Sequence, residues 1–68
     1  MSASLAEALP AEMARVREVL GYYREIGPAG NIGAMFIEAD LREADQAVMS
    51  GDVVRMLRVF TTLQGIKD

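Results

Sequence analysis

The stretch Ile26-Gly27-Pro28-Ala29-Gly30-Asn31-Ile32-Gly33 decides how the chain folds, because it ends one helical pattern and starts another. Gly27 suits a left-handed cap and Pro28 cannot continue a helix, so the first helix ends at about Ile26. Asn31 is a good N-cap for the next, which is expected to run to about Met49. Backward from the break, Met13, Val16, Leu20 and Tyr23 recur at three-to-four spacing and form one stripe, with Val19, Tyr22 and Ile26 beside it. Pro10 suits the first position of this helix, and Glu12 then lies in its first turn near the positive end of the dipole. Residues 1–9 are expected to be a flexible or single-turn arm, although Ser4 and Glu7 have capping-box spacing and Leu9 is placed to staple onto Met13. Gly21 costs helix stability unless a close helix contact uses its missing side chain, and such a contact is expected.

Forward from the break, Ile37, Leu41, Ala44 and Val48 fall on one line of the second helix, with Ile32, Met35, Phe36 and Ala39 beside it. Glu38 to Arg42 and Arg42 to Asp45 have the spacing of surface ion pairs within that helix. Ser50-Gly51-Asp52 closes it and opens a third, since Gly51 accepts a left-handed conformation and Asp52 can cap the amides that follow. The third helix should reach about Leu63 with Val53, Met56, Leu57, Phe60 and Leu63 inward, and Gly65 ends it before a charged tail. Val53, Val54 and Val59 favour strands by type, but no strict alternation supports one. The expected fold is therefore all-α: a compact three-helix unit over residues 10–64, made of a helical hairpin plus a preceding helix, with residues 65–68 as tail.

Composition points to association. A chain of 68 residues is close to the smallest that folds unaided, and with no Cys and no His it has neither disulfides nor the usual structural metal ligands. Hydrophobic residues make up 51% of it, more apolar stripe than three short helices can hide. The tight monomer with a central second helix is the alternative. Association ranks ahead of it: a symmetric dimer or higher ring, with Val19, Tyr22, Ile26, Ile32 and Phe36 as the interface. The net charge of −3 and pI near 4.8 argue against general nucleic-acid binding and against an anionic membrane surface. No apolar run approaches the length of a bilayer span and no secretory leader is evident, so a cytoplasmic location is expected.

Catalysis is not expected, because Ser2, Ser4 and Ser50 have no evident base, and no cofactor is implied. Asp40 and Glu43 share a face that suits a hard cation, but a solvated face explains them better. The glycine stretch offers two readings. Gly27, Gly30 and Gly33, with Asn31 at a helix start, would let backbone amides cradle an anion, yet the sequence fits neither a P-loop nor a dinucleotide fingerprint. The other reading, which is preferred, is a sharp helix-helix corner. Six of the seven cations are arginines. Arg55 and Arg58 share a face with Thr62 and no acidic neighbour in the body of their helix, so with Arg24 they are candidates for an anion pocket between subunits, against the simpler reading of a solvated face. Tyr22 and Tyr23 could stack on a base, although packing is the commoner use.

Tyr23-x-x-Ile26-Gly27-Pro28-Ala29-Gly30, Gly33-Ala34, Leu41-x-x-Ala44-Asp45-x-Ala47 and Ser50-Gly51-Asp52 together resemble short helical proteins encoded by bacteriophages and prophages. That resemblance implies a setting in the host bacterial cytosol, where such proteins counter bacterial defences by plugging a defence complex or sequestering a nucleotide immune signal. With it, the expected function is a non-enzymatic, phage-type homo-oligomer that binds a small anionic, nucleotide-like ligand as a sponge. The alternatives are a protein-protein interaction module inhibiting a host defence complex, in the manner of anti-CRISPR proteins, and a structural phage component.

Overall fold

The computed structural model of the protein describes residues 4–68. Three helices follow in order, α1 (Leu5–Ile26), α2 (Asn31–Ser50) and α3 (Val53–Gln64), with a 3-10 turn at Pro28–Gly30 between the first two. Each helix packs on both others, so the all-helical, three-helix expectation describes the described residues. The core is built from Leu9, Met13, Val16, Val19 and Leu20 of α1, Ala34, Ile37, Leu41, Ala44 and Ala47 of α2, and Val59 and Leu63 of α3. Three of the five α2 residues are alanines, which lets its neighbours approach closely.

The expected arm is corrected. Residues 5–9 belong to α1, which runs unbroken through Pro10, while residues 1–3, Ser2 included, lie outside the described residues. Proline inside a helix forfeits a backbone hydrogen bond, here the one to the carbonyl of Ala6, and costs up to about 3 kcal/mol. Ala6 is exposed, so water can satisfy that carbonyl. In return Leu9 is fully buried and Leu5 packs on the core, and this burial offsets the lost bond. Ser4 is the N-cap by position, but its side chain makes no capping bond, so the capping box is not formed.

Gly21 is corrected too. A Cβ there would meet nothing within 4 Å, so no close helix contact uses this glycine. The second turn is as expected: Gly51 is left-handed at φ 71° and the Asp52 carboxylate accepts the Arg55 amide at 3.2 Å. The α3 stripe is rotated from its expected register. Met56, Val59, Phe60 and Leu63 face the core, whereas Val53 and Leu57 are exposed, as is Val48 on α2. The shift moves Val59 inward.

Ion pairs join helices rather than lying within α2. Arg17 pairs with Asp45 at 3.7 Å and Arg24 with Glu38, which replaces the expected partnership of Arg42 with Glu38 and Asp45. The two pairs are seven residues apart on both helices and run in opposite directions, so they mark one antiparallel seam. The tail is not a free charged end. Ile66 packs on the core, and the Arg15 guanidinium donates to the carbonyls of Leu63 (3.0 Å) and Ile66 (2.8 Å) and to the carboxylates of Glu12 and Asp68.

Two substitutions check this description by thermal or urea unfolding. Leu9→Ala should cost about 2–5 kcal/mol, because it empties a fully buried site, whereas an unstructured arm would tolerate it. Gly21→Ala should add about 0.5–1 kcal/mol, since the site is open and helical.

Candidate functional site

The glycine stretch is a packed corner. Gly27 takes φ 86° and ψ −146°, a region that is essentially glycine-only, and turns the chain out of α1. Gly30 is buried, and a Cβ on it would stand 2.1 Å from the carbonyl oxygen of Tyr23. A Cβ on Gly33 would stand 2.5 Å from a ring carbon of Tyr23. Gly30 therefore packs on the backbone of Tyr23, and Gly33 on its half-buried ring. Asn31 is not the N-cap. Gly30 holds that position, and Asn31 is the first residue of α2, its amide already donating to the Pro28 carbonyl. The chain winds from the 3-10 turn into the helix without a cap, so the amides at this start are partly used.

The arginines are also engaged. Arg24 bonds to Glu38. Arg55 forks onto Glu43 at 2.7 and 3.0 Å and reaches Gln46 at 3.0 Å, so the helix facing it supplies the carboxylates that α3 lacks. The hydrogen bond from Arg55 holds the Glu43 carboxyl below its usual pKa, and the same bond raises that of Arg55. Arg58 is in no ion pair among the described residues and lines a cleft of about 330 Å³ with Arg55, Thr62, Asp40, Glu43 and Asp52. That cleft has three carboxylates to two guanidiniums, a poor balance for an anion. The Thr62 hydroxyl donates to the Arg58 carbonyl within its own helix. The candidate residues thus fall at two places: the corner at the start of α2, and a cleft at the first turns of α3.

What the structure brings together instead is apolar. Arg15 lies midway along α1 and grips the end of α3, so α3 stops there. At 1.5 Å per residue α3 is about 18 Å long, against about 33 Å for α1 and about 30 Å for α2. Burial on α1 continues through Val19 and Leu20, and from Gly21 on the helix has no fully buried residue. Tyr22 and Ile26 stand at the end of α1 and Ile32 and Phe36 at the start of α2, the two ends that the Tyr23–Gly33 approach holds together. Exposures of 57% for Tyr22, 62% for Ile26, 71% for Ile32 and 68% for Phe36 leave a shelf of large apolar side chains facing solvent, with exposed Met35 next to it. Four of the five expected interface residues make up this shelf. Val19, the fifth, is 2% exposed and belongs to the chain's own core. A second exposed apolar region, Met49, Val53, Val54 and Leu57, lies at the α2–α3 turn and the start of α3.

The Glu43–Arg55 pair sets a pH response. Because the folded-state pKa of Glu43 is depressed, its contribution to stability is present above the unfolded carboxylate value and is lost as pH falls through the depressed one. Glu43→Gln should therefore unfold at lower urea than the wild type near pH 7, with the gap closing below about pH 4. No helix among the described residues is long and apolar enough to cross a membrane. No protein-family model, curated protein or solved structure matches the chain.

Proposed function

We propose that the chain is a non-enzymatic protein-interaction module whose working surface is the Tyr22, Ile26, Ile32, Phe36 shelf. One observation carries this reading: large apolar residues, two of them aromatic, are exposed at the joined ends of α1 and α2. Folded chains rarely leave such patches bare, and aromatic residues are the ones that anchor protein interfaces. The reading as an anionic-ligand sponge has less support. Gly30 and Gly33 are filled by Tyr23, the Asn31 amide is bonded, and Arg24 and Arg55 are matched to carboxylates.

The module needs no catalytic group, and a partner, whether another protein or a second copy, would supply the missing cover for the shelf. The double variant Ile32→Glu/Phe36→Glu changes two exposed positions near the positive end of α2 and should keep its helical circular dichroism. It should lose every association that the wild-type protein makes in sedimentation and affinity capture, by at least about tenfold, as removal of two interface anchors implies. Ala14→Glu, on the exposed face of α1, should lose none. Association that survives the double variant refutes the proposal.

A further inference from the structure

Three carboxylates next to the shelf stand without an ion pair, and from them we infer that the occupant is a basic amphipathic helix, with large apolar side chains on one stripe and Lys or Arg along its edges. This rests on the interaction-module reading and adds the chemistry of the partner. Glu18 and Glu25 lie four residues before and three after Tyr22, so on α1 they are its immediate surface neighbours. Asp40 lies four residues after Phe36 on α2 in the same relation. None of these carboxylates takes part in an ion pair among the described residues, whereas Glu12, Glu38, Glu43, Asp45 and Asp68 are each matched to an arginine. The cations left without an ion pair are Arg42 beyond Ala39 on α2, Arg58, which lines the α2–α3 cleft together with Asp40, and Lys67 in the tail.

This charge pattern selects among occupants. A second copy related by a two-fold axis lays the shelf on its own image and crowds acidic rim against acidic rim. A helix with cations at its edges meets apolar floor with apolar stripe and closes ion pairs around it.

The test titrates the full-length protein with two fluorescent helical peptides of about sixteen residues, long enough to present anchors at i, i+4 and i+7. Both carry leucine at those positions; one is flanked by lysine and arginine, the other by glutamate. The basic peptide should bind at least about tenfold more tightly, and its advantage should shrink as salt shortens the screening length from about 10 Å at 0.1 M to about 3 Å at 1 M. The triple variant Glu18→Lys/Glu25→Lys/Asp40→Lys should reverse the preference while Ile32→Glu/Phe36→Glu abolishes binding of both peptides. Equal binding of the two peptides, still lost in Ile32→Glu/Phe36→Glu, overturns the basic partner and leaves the module. So does sedimentation showing that a second copy fills the shelf and excludes the basic peptide. Peptide binding that ignores Ile32→Glu/Phe36→Glu overturns both.

Discussion

The grip of Arg15 on the end of α3 is the constraint from which the rest of the molecule follows. One guanidinium in the middle of α1 satisfies the carbonyls of Leu63 and Ile66, while Glu12 and Asp68 hold its charge. Carbonyls at a helix C-terminus have no partner within the helix, and a cation there also complements the dipole. The arginine thereby fastens the end of α3 near the middle of α1, and Ile66 is drawn onto the core just past that end. The upper half ends in two helices and a corner, with no fully buried residue on α1 from Gly21 on. A two-helix layer cannot bury both its faces, so the apolar shelf is a geometric product of where α3 is held.

The corner is what keeps that upper half ordered. The Tyr23 ring fills the space left by Gly33, Gly30 lies against the Tyr23 carbonyl, and the pairs Arg17–Asp45 and Arg24–Glu38 run along the same seam. Exposed ion pairs contribute little each, about 0–1 kcal/mol, so the register of the seam rests chiefly on the tyrosine and on Leu20, Ile37 and Leu41 below it. Stability and shelf are linked here. The ring that holds the corner is the sequence neighbour of Tyr22, so ordering the one presents the other.

Helix number and both turns were legible in the sequence because Gly27-Pro28 and Gly51-Asp52 act locally, through backbone geometry and capping. The apolar excess on Tyr22, Ile26, Ile32 and Phe36 was legible as well, since three-four spacing assigns faces without knowing the fold. What failed was set at long range. Pro10 marks a helix start by local rule, and only the burial of Leu9 shows why the helix continues through it. Arg55 lacks an acidic neighbour on its own helix, and its partner Glu43 is twelve residues away on another. Val19 reads as an interface residue, yet it is closed inside the chain's own core. The glycine stretch had two readings because its local chemistry suits both an anion and a tight corner; the deciding residue, Tyr23, stands outside the stretch.

The two connections are short, Gly27–Gly30 and Gly51–Asp52, so each helix meets the next almost as soon as the turn between them forms. Such wiring keeps most partners near in sequence, and chains of this kind fold within microseconds to milliseconds. The exception is the clasp between Arg15 and the C-terminal residues, which spans 51 positions to Ile66. Closure of that clasp waits on residues 63–68. The α1–α2 hairpin can therefore form before its third helix is fastened.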